Sequence, residues 1–331
     1  MSKSPSIGRW PRVGLALCLG IAAAFPASAG AGSKPYTEEA PKRGFHLFIR
    51  PHEKTAESQW AHVQALDAAG RTRAAAKQAL ALRIWWPNAD EAPGAQTYYA
   101  RRLDARGKIQ AAFDAYQYLV EHYPGRFEFN VVLERQMNLA KTLMARKKGH
   151  VLFLPGFAAP ERAIPLFEKI VASAPEGAFA PEAYYLIGSA HEQVYEYDEA
   201  IDAYFTALNR YPDSPFAAQA AHAQARCHVE LSQDAPNDAR ALAEAIAACT
   251  LFLQGQPDSE HRGEIEADLA RLRERQIAAA FAQARYYDRI LHKPESALIE
   301  YRSFVSLYPD APQAAEARAR IALLKSEEKE P

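Results

Sequence analysis

Six stretches of the chain share one pattern of apolar and polar positions. In each, apolar residues recur at the spacing of an amphipathic helix, and a proline ends the run, at Pro87, Pro124, Pro175, Pro212, Pro257 and Pro309. Aligning on these prolines tests whether the stretches are copies of one unit. Twelve residues upstream stand Ala75, Ala112, Ala163, Ala200, Ala245 and Ala297, the same small residue six times. Eight upstream stand Ala79, Tyr116, Phe167, Tyr204, Cys249 and Tyr301, mostly large. The residue just before the proline is aromatic in four of the six, at Trp86, Tyr123, Tyr211 and Tyr308. Chance does not produce this register.

The pattern predicts helical hairpins. The recurrent alanine lets two antiparallel helices approach closely, and the large residue one turn later fills the gap to the next pair. Proline lacks an N–H and disfavours helix in the residue before it, so it stops the second helix. The expected first helices are 53–69, 95–105, 130–147, 181–194, 214–231 and 262–291. Gly188 lies twelve residues before Ala200, the small-to-small spacing of the tetratricopeptide (TPR) helix pair. The prolines are 37, 51, 37, 45 and 52 residues apart, longer than the usual TPR period of about 34. The excess falls in a Gly/Pro-containing apolar insertion at 148–159, a polar turn at 232–238 and a lengthened helix before the sixth unit. The expected fold is therefore all-α, an α-solenoid of about six TPR-like hairpins over residues 53–324. Such an array buries apolar surface only between neighbours and builds no central core.

Composition supports helices and sets bounds on function. About a fifth of the residues are Ala against only 16 Gly, which favours helix. With 39 Lys+Arg against 40 Asp+Glu the net charge is −1, which excludes a nucleic-acid binder working by general phosphate neutralisation. Lys3, Arg9 and Arg12 precede an apolar run from Val13 to Phe25, followed by Pro26 and the small residues Ala27, Ser28 and Ala29. Residues 1–29 thus read as a secretory signal peptide, too short to span a bilayer, with the exported chain starting near Gly30. Cys18 does not suit lipidation, because in Leu15-Ala16-Leu17 the bulky Leu17 stands just before it, where a lipobox needs a small residue. Residues 30–52 form an extended lead, in which Phe45, Leu47 and Ile49 alternate with His46, Phe48 and Arg50, and residues 325–331 a charged tail. Cys227 and Cys249 read as buried small hydrophobes rather than a disulfide.

Candidate chemistry is sparse. Tyr195 stands where a zinc-protease helix starting at His191-Glu192 needs its second His. His222 and His228 point to different sides of one helix and cannot share a metal. Gly107-Lys108 lacks the rest of a phosphate loop. Neither an enzymatic site nor a metal or cofactor is expected. What remains is the face built by the first helices, where solenoids of this kind grip other proteins. The groove-facing candidates are Trp60, Gln64, Asp67, Arg101, Asp104, Met137, Lys141, Glu182 and Tyr185. Leu152, Phe153, Leu154 and Phe157 in the apolar insertion form a second candidate docking surface.

Towards the C-terminus the chain carries Asp238-Ala239-Arg240, Phe252-Leu253 ahead of Pro257-Asp258-Ser259, Leu272-Arg273-Glu274-Arg275, Ala284-Arg285-Tyr286-Tyr287 and Leu307-Tyr308-Pro309-Asp310. In this order, with the insertion in the third pair, they resemble the outer-membrane assembly factor BamD (YfiO) family over roughly residues 55–324. The resemblance implies a non-enzymatic periplasmic scaffold that meets the periplasmic domains of a BamA-type insertase through its C-terminal repeats. Its N-terminal groove would meet unfolded outer-membrane proteins. Two features depart from the family: the lipobox is missing, and six pairs are counted where five are usual. Membrane association would then be indirect, through protein partners. The alternative resemblance is to CpoB-like periplasmic TPR adaptors of the cell-division and cell-envelope machinery.

Overall fold

In the computed structural model, which describes residues 49–148 and 157–327, all six repeat prolines stop a helix in the same way. The chain runs as α1 (Ala56–Ala68) and α2 (Thr72–Trp85), α3 (Ala92–Asp104) and α4 (Ile109–His122), α5 (Phe129–Ala145) and α6 (Ile164–Ser173), α7 (Ala180–Glu192) and α8 (Tyr197–Arg210), α9 (Ala217–Asp234) and α10 (Ala239–Gly255), α11 (Arg262–Arg289) and α12 (Pro294–Leu307), then α13 (Ala314–Glu327). Each even-numbered helix up to α12 ends two residues before its proline. The residue between, from Trp86 to Tyr308, has φ between −129° and −147° and ψ between 46° and 71°. That is the departure from helix that a following proline ring enforces. The same residue still donates its N–H to the carbonyl four residues back, as Tyr211 does to Ala207, so no donor is left over.

The turns inside the first, second, fourth and sixth hairpins share a second feature that the sequence pattern did not announce. Five residues before the repeat alanine the backbone turns left-handed: Gly70 (φ 72°), Gly107 (φ 64°), Tyr195 (φ 64°) and His292 (φ 49°). Glycine takes this conformation freely in the first two hairpins, whereas Tyr195 and His292 adopt it against their own Cβ.

All six repeat alanines are completely buried, and the residues one turn later are buried to within 3%. Gly188 shows why. A Cβ placed on it would lie 2.6 Å from Cε1 of Tyr204, so the Tyr204 ring occupies the space a side chain would need. The large residue therefore fills the gap inside its own hairpin, not the gap to the next as the spacing suggested. The same sixteen-residue offset links Ala100 to Tyr116 and Val63 to Ala79, small against large in one case and the reverse in the other. Volume is conserved across the hairpin while the residues change, as close-packed interiors require.

Packing is mainly between helices adjacent in sequence, from α1 on α2 through α12 on α13. The buried apolar residues accordingly fall into clusters that succeed one another along the chain, spanning Val63–Ala203, Ala200–Cys227, Ala225–Leu272 and Phe281–Leu324. This is an all-α solenoid of TPR-type hairpins. Its last helix, α13, occupies the place of a further first helix and covers the sixth hairpin with Ala314, Ala317 and Leu324. The insertion in the third hairpin begins and ends as a short ribbon, Lys147–Lys148 (β1) antiparallel to Phe157–Ala158 (β2), with Lys147 opposite Ala158. Leu152, Phe153 and Leu154 lie outside the described residues, and Phe157 is on β2.

Candidate partner-binding groove

The first helices α1, α3, α5, α7, α9 and α11, with α13, meet side by side, and charged groups tie most of these meetings together. An acid in the last turn of one helix accepts from an arginine of the next: Arg102 Nη2 to Asp67 at 2.7 Å, Arg135 Nε to Asp104 at 2.7 Å, Arg226 Nε to Glu192 at 2.9 Å and Arg320 Nε to Asp288 at 2.7 Å. A carboxylate at a helix C-terminus opposes the helix dipole. The guanidinium of the following repeat offsets that repulsion, and it fixes the register between hairpins. Between α5 and α7 the sense is reversed, with Lys141 paired to Glu182.

Three of these pairs recruit the large residue of the repeat. Tyr204 donates to Glu192 at 2.8 Å and Tyr301 to Asp288 at 3.2 Å, while the Tyr116 hydroxyl faces Asp104 and Arg135. The aromatic ring thus fills its hairpin while its hydroxyl reaches the inter-repeat ion pair. Burial, then the charge of Glu192, pushes the Tyr204 hydroxyl far above its ordinary pKa. Tyr301 is pushed up to about 12 by burial and by Asp288. The hydrogen bond from Arg320 holds the Asp288 carboxyl below the usual carboxylate range. A row of buried glutamines stiffens the N-terminal half in another way. Gln59 donates to the Gln78 carbonyl at 3.1 Å, Gln96 to the Ala115 carbonyl at 2.7 Å and Gln136 to Gln117 Oε1 at 2.8 Å.

The groove candidates divide by what these contacts leave free. Trp60, Arg101 and Asp104 come together in one cleft of about 670 Å³ between α1, α3 and α5. Trp60 is half-buried, 3.7 Å from where a Cβ on Gly94 would stand, and edge-on to Tyr98 at 6.4 Å. It both packs between repeats and lines the cleft. Arg101 and Gln64 are exposed. Asp67, Asp104, Lys141 and Glu182 are engaged in the inter-repeat pairs described above. Met137 is 1% exposed and belongs to the core: α5 turns it inward between Leu133 and Ala140, so it does not face a groove. Tyr185 sits apart from the cleft, its ring 5.8 Å from Tyr204 and 5.9 Å from Phe216.

The cleft also takes Tyr98, Arg126 and Phe127, which sequence reasoning missed. Arg126 and Phe127 come from the turn after Pro124, and a register counted only along first helices passes over them. Arg126 donates to the Ala89 carbonyl at 3.1 Å and to Asp90 at 3.0 Å, closing one end of the cleft. Cys227 and Cys249 are free and buried, with burial pushing their thiols up to about 12 and about 11.

No protein-family profile matches the chain, and no curated protein matches it. Solved structures give distant likenesses. "MamA RS-1 ArsTM double mutant" is 17% identical over 62% of this chain and 97% of its own, with TM-score 0.29. The C-terminal part of a TPR repeat-containing protein from Cytophaga hutchinsonii is 17% identical over 80% and 88%, with TM-score 0.32. A tetratricopeptide repeat protein from Parabacteroides merdae is 14% identical over 82% and 98%, with TM-score 0.30. At that level of superposition the class rests on the chain's own helices. Proline-closed hairpins packed in sequence, with a cleft lined by their first helices, define a TPR-type helical solenoid.

Proposed function

We propose that the protein is an exported, non-enzymatic scaffold that grips an extended polypeptide in the cleft between α1, α3 and α5. The observation that carries this is the cleft's make-up: aromatic faces of Trp60, Tyr98 and Phe127 beside the exposed guanidinium of Arg101. Aromatic and arginine side chains are the usual anchors of protein interfaces. The particular role proposed is BamD-like, in outer-membrane β-barrel assembly beside a BamA-type insertase in the periplasm. The ordered C-terminal motifs between Asp238 and Asp310, and the 28-residue α11 that carries several of them, support it. Unfolded outer-membrane proteins, rich in aromatic residues, suit the cleft.

Depletion followed by co-purification tests this role. Loss of barrel proteins from the outer membrane, and recovery of a barrel protein with periplasmic domains on the tagged chain, are the expected results. Division defects with normal barrels would instead indicate a CpoB-like adaptor. Arg101→Ala tests the cleft: it should weaken partner binding by ~2 kcal/mol, about thirtyfold, without moving the melt. Unchanged affinity would remove the cleft from the binding surface.

A further inference from the structure

The meeting of α9 with α11 lacks the tyrosine–acid–arginine contact that joins α7 to α9 and α11 to α13; its hairpin has Cys249 at the tyrosine position. Two imidazoles and a carboxylate gather there instead. His222 lies in the second turn of α9, His261 is the residue that caps the start of α11, and Glu264 stands in the first turn of α11. The two rings stack in parallel with centroids 3.8 Å apart. His222 Nε2 lies 3.4 Å from a Glu264 oxygen, and His261 Nδ1 lies 3.8 Å from the same oxygen.

We propose that His222, His261 and Glu264 bind a divalent transition-metal ion, zinc by preference, between α9 and α11. One ligand atom from each residue falls within 4.8 Å of the others. A tetrahedral ion with bonds of about 2.0–2.1 Å holds its ligands roughly 3.3 Å apart, so turning the two rings out of their stack brings all three onto one ion. Two nitrogens and one oxygen suit zinc and not the all-oxygen shells of calcium or magnesium. The second observation is His222 itself. It is 8% exposed and its Nε2 makes no hydrogen bond, whereas buried polar groups nearly always have partners. The nearby guanidinium of Arg226 is engaged by Glu192, and a further carboxylate, Glu260, lies 3.6 Å from His261. A fourth coordination position stays open to water or to a partner's side chain. Sequence reasoning weighed His222 only against His228, because His261 and Glu264 come from another hairpin.

The test uses the whole exported chain without a histidine tag, stripped by chelator and titrated with zinc chloride, with cobalt(II) as a spectroscopic probe. His52, Glu53 and His62 form a second, more exposed group of donors and serve as the internal control. Expected are one zinc per chain, tetrahedral cobalt bands, and slower amide exchange at α9 and α11 when zinc is bound. His261→Ala and Glu264→Gln, both at partly exposed positions, should each weaken zinc binding at least ~10-fold, while His62→Ala leaves it unchanged. No saturable zinc in the native chain overturns the proposal. So does zinc binding lost in His62→Ala but kept in the other two.

Discussion

Removing the Glu192 carboxylate strikes the contact that ties α7, α8 and α9 together. Glu192 accepts from the Tyr204 hydroxyl and from Arg226, and the Tyr204 side chain is completely buried. In Glu192→Ala the hydroxyl loses its partner where water cannot reach, which costs ~1–3 kcal/mol. The ion pair adds little, because the Arg226 side chain is 42% exposed and its attraction is screened; ~0–1 kcal/mol is expected. Together these give a destabilisation of ~1–4 kcal/mol. Tyr204→Phe alone costs ~1–2 kcal/mol, since it removes one hydrogen bond to a charged acceptor but leaves Glu192 on Arg226. The double variant has no orphaned hydroxyl, so it should fall short of the sum of the single effects by ~1 kcal/mol. Urea unfolding gives the total. Because repeat arrays open piecewise, amide hydrogen exchange in α7, α8 and α9 localises the loss. Single effects that add to within ~0.5 kcal/mol would refute the coupling, and with it the idea that the repeat tyrosine works through its hydroxyl.

The left-handed turn at Tyr195 predicts a stabilising change. Tyr195→Gly relieves ~1–2 kcal/mol of backbone strain and gives back ~0.5–1 kcal/mol in unfolded-state entropy, so the urea midpoint should rise. A lower midpoint would show that the Tyr195 ring, edge-on to Tyr197 at 6.2 Å, contributes more than the strain costs. Acid should release α13. The folded pKa of Asp288 is depressed by Arg320, so its stabilisation is complete above the unfolded value of about 4 and is lost as pH falls through the lower folded value. Protection of the α13 amides, corrected for the intrinsic exchange rate at each pH, should therefore fall as pH drops below about 4, and Asp288→Asn should flatten that dependence; parallel profiles for the two proteins would contradict it.

Much of the architecture was legible because proline and alanine act locally. Pro87 through Pro309 end helices by their own covalent geometry, and the first helices emerged within a few residues of their expected ends, such as Ala180–Glu192 against 181–194. The helix after the sixth hairpin was not anticipated as a separate element, and it continues through Lys325 and Ser326 to Glu327. The groove was legible only in part. Trp60, Arg101 and Asp104 do share a cleft, but Met137 is in the core, where a helical count alone cannot say which apolar residue turns inward. Arg126 and Phe127 were missed because they stand in a turn, outside any helical period.

The sequence by itself determined the unit: a helix pair with a fixed small residue, a volume-matched large one and a proline stop. Each of these works over a few residues, through sterics and backbone geometry that any copy of the pattern carries with it. Tertiary structure alone decided what the charges do. Asp104 with Arg135, Glu192 with Arg226, Asp288 with Arg320 and His222 with His261 join residues 31 to 39 apart on different hairpins. Coulombic and hydrogen-bond partners are chosen by proximity in space, and that proximity exists only after one hairpin has packed against the next.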